Sequence, residues 1–336
     1  MLTNSSFYSR VLAFSVLLAL VVIVLGAYTR LSDAGLGCPD WPGCYGQILV
    51  PDSVSSADYE RPLEASKAWK EMIHRYVAGT LGLLVLLIVF LAFKKKPVIK
   101  QSIVLPLVLL ATITFQALLG MWTVTLVLSP LIVSAHLLGG FTTLSLLWWL
   151  FLNQQQKEQL TEHLLTPRST LGYKFASLLA LFLVVFQILL GGWTSSNYAA
   201  LACGTEFPTC ASSWWPSSMD FNNGFDFSHK PGVNYEFGVL DSPARTAIHF
   251  MHRVGALIVF TYLSVFAMIM LLKNTQLKFL AGLLLLLLFL QVGLGISNVV
   301  FALPLSVSVL HNLVAIVLLL TVITINHQVF AKPSKR

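Results

Sequence analysis

Charged residues are what this 336-residue sequence lacks most. They make up 10% of it, against about 25% in soluble domains, which excludes a chain solvated mainly by water. The net charge of +7 is no nucleic-acid signature, because the charges sort by side of a membrane. Cysteine is scarce as well: four residues, all in two polar segments. A cleavage site is also missing. The first apolar run, from about Val11 to Ala27, is too long for a signal-peptide core and no small-residue site follows it, so it is expected to remain as a helix. No Arg-rich amphipathic presequence precedes it, which favours a bacterial plasma membrane over a mitochondrial one.

What abounds is apolar: 56% of the residues are hydrophobic. Runs of roughly 20 apolar residues, enough to span a bilayer, lie near 10–29, 72–93, 102–126, 130–152, 172–194, 246–272, 277–301 and 305–326. Basic residues cluster at Arg10, Lys94–Lys96 with Lys100, Lys157–Lys174, Lys273 with Lys278, and Lys332–Arg336, while twelve of the fourteen acidic residues occupy the alternate loops or their edges. The bias of basic residues toward inside loops predicts cytoplasmic termini and two long outside loops, 30–70 and 196–243. Cys38 and Cys44 fall in the first loop and Cys203 and Cys210 in the second. An even count confined to an oxidising face reads as two short-loop disulfides. Four unpaired thiols is the plain alternative, and zinc fits less well, since neither pair has the usual two-residue gap.

The sequence repeats itself. FQALLGMWT (Phe115–Thr123) returns as FQILLGGWT (Phe186–Thr194), in part as FLQVGLG (Phe289–Gly295), and in worn form as VLGAYT ending at Thr29. A cysteine pair follows the first and fifth runs, and each long loop leads into EMIHR (Glu71–Arg75) or HFMHR (His249–Arg253). The offsets are 165 between the first cysteines, 178 from His74 to His252 and 175 from His136 to His311. Four intervening spans make the copies parallel. The expected fold is therefore an all-α integral membrane protein of eight transmembrane helices. They form two tandem pseudo-symmetric four-helix bundles, 1–152 and 172–336, joined by a cytoplasmic linker at 153–171. Small residues in the repeated motif would also let helices approach closely, a purely structural reading that coexists with the functional one.

Of eight histidines, His163, His229 and His327 lie in loops or at cytoplasmic ends and read as ordinary polar residues. The other five sit in spans, where such residues default to a functional hypothesis. His74, His136, His252 and His311 each fall about one to two turns below the outside end of a helix running inward, at ~1.5 Å per residue. Two histidines at matched depth in one bundle can face each other across its core, as the axial ligands of a haem iron do; the bland alternative is polar bridging between helices. Glu71 precedes His74 by three residues, the spacing of di-iron carboxylate bundles, but those sites need several carboxylates and Glu71 is the only acidic residue at a spanning-helix end with that spacing. Arg75 and Arg253 follow proposed ligands by one residue and could pair with haem propionates or snorkel at the interface.

The run Gly26–Gln47 (GAYTRLSDAGLGCPDWPGCYGQ), EMIHR, SAHLLGG (Ser134–Gly140), HFMHR and SVLHNL (Ser308–Leu313) resembles the haem A synthase family of bacteria and mitochondria, from about Val11 to Ile325. The resemblance implies oxidation of the methyl group of haem O to the formyl group of haem A, for a terminal oxidase. It implies that His74 and His136 hold the haem being converted, that His252 and His311 hold a stable haem b, and that Glu71 is the carboxylate the chemistry requires. It implies that Cys38–Cys44 and Cys203–Cys210 are disulfides, and that haem O synthase and an electron acceptor are partners. No motif residue is missing, though the second outside loop, 196–243, is long, and its 211–243 part, with the stretch WWPSSMDFNN, has no assigned role beyond interfacial tryptophans.

The residues support unequal halves on their own account. The position equivalent to Glu71, 178 further on, is His249, so only one half has a carboxylate one turn from its iron ligand. Two other functions compete. One is a di-haem b electron carrier that alters neither haem, against which stand Glu71 and the cysteine loop. The other is a transporter, supported by duplication alone. Glu71 also has a bland reading, as a cap on the first turn of its helix.

Overall fold

The computed structural model describes residues 2–55, 59, 61–94, 102–158, 171–228, 230, 232–273 and 275–331. His163, His229, most of the expected linker and most of the basic residues that set the inside loops lie outside that set. Eight helices are long and apolar enough to cross a membrane: α1 Leu2–Leu31, α2 Ala65–Lys94, α3 Val104–Thr125, α4 Pro130–Glu158, α5 Leu171–Ser196, α6 Ser242–Lys273, α7 Lys278–Val300 and α8 Leu305–Phe330. Among the described residues there is no strand, only two isolated bridges inside the cysteine loops. The protein is thus an all-helical, multi-pass membrane protein.

Several helices outrun the apolar windows that announced them. α2 begins at Ala65, seven residues before the expected 72, because AlaSerLysAlaTrpLysGlu is polar yet helix-compatible. Thirty residues at ~1.5 Å each give about 45 Å, more than the ~30 Å hydrocarbon core, so the first turns of α2 stand above it. Glu71 therefore lies beyond the first turn of α2, and the reading of it as a helix cap falls. α4 continues through its glutamines to Glu158, past the expected boundary at 152. α6 starts at Ser242, where Asp241 Oδ1 accepts from the Ala244 N–H at 3.1 Å and Pro243 takes a first-turn position.

Neighbours in the first half close a ring, α1 on α2, α2 on α3, α3 on α4 and α4 on α1. The second half does the same with α5, α6, α7 and α8, and the halves meet through α1, α4, α5 and α8. Outside turns repeat as well. Val127 and Leu128 carry positive φ of 47° and 59°, and 175 positions on Ala302 and Leu303 carry 54° and 59°. Each pair closes its helix through an N–H, Leu128 to the Thr123 carbonyl at 2.8 Å and Leu303 to that of Asn298 at 2.7 Å. Both disulfides are present, Cys38–Cys44 and Cys203–Cys210, and no described cysteine is free. The two long loops meet on one face, where Arg61 and Glu236 pair at 2.8 Å. The largest apolar core, including Leu12, Ile88, Leu147, Leu263 and Ile323, packs the end of the bundles away from these loops. The end beneath the loops is hollow.

Candidate functional site

That hollow is a continuous cavity of about 2020 Å³ reaching both halves, lined by His74, His136, His252 and His311 and also by Glu71 and His249. Ligand pockets usually measure about 300–1,000 Å³, so the volume accommodates two large flat molecules. His74 and His136 face each other with ring centroids 6.4 Å apart at 84°. Two imidazoles each holding one iron at about 2 Å stand roughly that far apart. Each ring lies beside a backbone carbonyl, that of Val22 for His74 and that of Gln116 for His136, and a ring N–H directed there leaves the other nitrogen with a lone pair to offer. Among the described residues no three His, Cys, Asp or Glu side chains gather as a bare-metal site. A porphyrin brings four nitrogens of its own and asks the protein for only two, which the histidine pair supplies. The residues present therefore fit a haem.

The repeated glycines explain how the rings are seated. A Cβ on Gly26 of α1 would come within 2.9 Å of His74 Cε1, and one on Gly120 of α3 within 3.3 Å of His136 Cε1. Gly191 of α5 and Gly295 of α7 do the same for His252 and His311, each at 3.2 Å. Each of these histidine-bearing helices thus lays its imidazole over a glycine of the preceding helix, where any side chain would push the ring away. One turn earlier stand Gln116, Gln187 and Gln291. The Gln116 amide donates to the His136 carbonyl, that of Gln187 to the His252 carbonyl at 2.9 Å with Nδ1 at 3.1 Å, and that of Gln291 lies 3.1 Å from His311 Nε2. The matching residue in α1 is Val22, so His74 alone has no amide beside it. These glutamines had no assigned role in the sequence reading, although the repeated Gln-x-x-x-Gly spacing signalled them.

Glu71 and His249 occupy equivalent positions with equivalent surroundings. Glu71 Oε2 accepts from the Cys38 N–H at 2.9 Å, and Oε1 pairs with the Arg75 guanidinium. His249 Nδ1 lies 3.2 Å from the Cys203 N–H and its Nε2 lies 3.2 Å from Arg253 Nε. Both neighbours are donors in each case. A carboxylate accepts from both; a neutral imidazole has one lone pair to offer, so His249 satisfies one neighbour at a time. Arg75 also donates to the carbonyls of Asp40 and Pro42, at 2.9 and 3.3 Å. Arg253 donates to those of Thr209 and Glu206, at 2.7 and 3.1 Å. Each arginine thus clamps a cysteine loop onto the helix bearing its histidine.

The loops share one fold although their sequences differ. Asp40 Oδ1 and Oδ2 accept from Tyr45 and Gly46 at 2.6 and 2.8 Å, and Glu206 takes this place in the second loop, accepting from the Ser212 N–H at 2.8 Å. Hydrogen bonds from the Ser212 hydroxyl and N–H hold the Glu206 carboxyl below the usual range. Between the halves, Arg30 of α1 donates to the Ser195 carbonyl and lies over the Tyr198 ring at 4.1 Å. It lines the cavity and went unnoticed in the sequence, where it is one basic residue after Thr29.

Residues 9–323 match the COX15-CtaA family, described as cytochrome oxidase assembly protein. The chain is 48% identical to the haem A synthase of Shewanella oneidensis, covering 96% of this chain and 97% of that one. It is 26% identical to the haem A synthase of Halalkalibacterium halodurans over 90% of each chain. Against that of Rickettsia prowazekii it is 25% identical, over 95% of this chain and 97% of the other.

Proposed function

The chain belongs to the COX15-CtaA family of cytochrome oxidase assembly proteins, and from that premise we propose that it acts as a haem A synthase. In this reading it is an oxidoreductase of the bacterial plasma membrane that converts the methyl side chain of haem O to the formyl group of haem A. The observation that carries the reading is the inequality of two otherwise matched sites: Glu71 beside the His74–His136 pair, and His249 at the equivalent place beside His252.

In the first half, His74 and His136 would hold the iron of the substrate haem O. Glu71 and His74 lie on one face of α2, so the carboxylate would stand beside a macrocycle held by His74. Turning the methyl into a formyl group removes four electrons and four protons and takes up one oxygen atom, as from water (R–CH3 + H2O → R–CHO + 4 H+ + 4 e−), with the electrons passing to the acceptor. Glu71 either accepts a proton or steadies positive charge on the reacting carbon. Arg75 and the Cys38 N–H fix that carboxylate beneath the disulfide-closed loop. In the second half His252 and His311 would hold a haem b, which supplies one-electron redox chemistry when bound. Arg75, Arg253 and Arg30 line the cavity where propionates would emerge. Both termini face the cytoplasm, and both haem sites lie toward the outside. Haem O synthase supplies the substrate and a separate acceptor removes the electrons.

Incubating purified protein with haem O and an electron acceptor, then extracting and weighing its haems, tests the proposal. Haem A appearing beside an unaltered haem b is the expected result. Recovery of only unmodified haems from loaded protein would favour a di-haem electron carrier instead.

A further inference from the structure

The two halves also differ where their middle helices meet the lipid. In the second half, Phe260 of α6 and Phe289 of α7 meet edge to face, with centroids 5.3 Å apart at 83°. Phe260 lines the cavity and Phe289 is 60% exposed, so the pair bridges the crevice between α6 and α7 from cavity to lipid. The cavity-lining residues of α7 behind it, Leu288, Gln291 and Val292, are buried or half-buried.

The repeat puts Gly82 at the Phe260 position, at the offset of 178 that relates His74 to His252, and Thr114 at the Phe289 position, at the offset of 175 that relates Gln116 to Gln291. Two small side chains therefore stand where two rings meet. A Cβ on Gly82 would find nothing within 4 Å, and the same holds for Gly79. The lining residues on both walls include exposed ones, Thr80 and Leu83 on α2 and Thr114 and Ala117 on α3, beside the half-buried Ile113 and Gln116, while Leu257 of α6 is an exposed lining residue of the second half. The crevice between α2 and α3 thus has small side chains where the second half has an aromatic pair, which leaves an opening there. Gly82 lies eight residues, about 12 Å, further into the membrane than His74, so the opening sits at the depth of lipid tails.

We infer that the α2–α3 crevice is the lateral portal by which a porphyrin with a long apolar tail passes between the bilayer and the first half. The Phe260–Phe289 pair seals the matching crevice, so the second half keeps its haem. The inference rests on the proposal that the first half converts haem O, whose isoprenoid tail belongs in lipid, and the second retains haem b. A substrate must enter and a product leave; a retained group must do neither. The aromatic pair is present in the half that needs closure and absent from the half that needs passage.

Transplanting the seal tests this. Gly82→Phe with Thr114→Phe is expected to slow uptake of vesicle-borne haem O about tenfold or more, while the absorption spectrum of the second-half haem stays as in the parent. The reciprocal Phe260→Gly with Phe289→Thr is expected to speed loss of the second-half haem to an apoprotein haem scavenger by about the same factor. It leaves His252 and His311 in place, and it serves if the first variant does not fold. Uptake unchanged in folded Gly82→Phe/Thr114→Phe protein, or haem loss unchanged in the reciprocal variant, would overturn the portal. Uptake and exchange are read without conversion, so parent protein that exchanges haem O but never oxidises it would sink the proposed function and leave the portal standing.

Discussion

His249 is the residue at which duplication and division of labour collide. It inherits a pocket with two donors, the Cys203 N–H and Arg253 Nε, each at 3.2 Å, which Glu71 fills in the other copy with two acceptor oxygens. An imidazole leaves one donor without its bond, and unmet buried donors cost about 1–3 kcal/mol. His249→Glu is therefore expected to raise stability by about 1 kcal/mol, read as a higher melting temperature of detergent-solubilised, haem-loaded protein. A lower melting temperature would show that the pocket is not the match to the Glu71 pocket that its hydrogen bonds describe. The exchange of Glu71 for His249 was legible from offsets alone. The donors around it were not, because they come from loops 33 and 46 residues away whose path no spacing reveals. The same limit hid the pairing of glycines with histidines: sequence marks both, but only packing decides which face of α1 meets α2.

At the scale of elements, the helices were legible because apolar runs of spanning length have few alternatives. Their ends were not, since polar turns such as those opening α2 are invisible to hydropathy yet belong to the helix. The cysteine loops were legible as disulfides from their confinement to one face. Their shared fold was not, because Asp40 and Glu206 perform one task with different side chains. That fold is held three ways: by the disulfide, by the carboxylate, and by the arginine clamp from below. Loss of one tie should therefore loosen a loop without unfolding a bundle. Cys203→Ser with Cys210→Ser is expected to cost about 2–3 kcal/mol or less, as a short closed loop implies, with the haem spectrum of the first half unchanged. The check is thermal unfolding alongside the absorption spectrum. Wholesale loss of both haems would show that the loop carries the fold itself.

In the whole molecule, equivalent residues meet at the junction between halves. Arg30 donates to the carbonyl of Ser195, its own counterpart at offset 165, and Tyr198 donates to Asp33, again its counterpart, at 3.2 Å. Near the other end Trp148 donates to Thr324 at 2.9 Å, and His327 lies 3.0 Å from Asn153, pairs separated by 176 and 174. Contacts between near-counterparts at both ends are those that a pseudo-two-fold relation between parallel repeats produces. Within that symmetric frame the chemistry is placed unequally. Glu71 has no carboxylate partner in the second half, His74 alone lacks a glutamine, and the aromatic seal appears on one side. The most direct test of this division is the formyl haem produced per folded molecule of Glu71→Gln, with haem loading measured on the same sample. The substitution keeps the size and an acceptor for Cys38 but removes the charge and the base. Folded, haem-loaded protein that accumulates haem O or a partly oxidised intermediate is the predicted result, and a parent-like yield of haem A would contradict it.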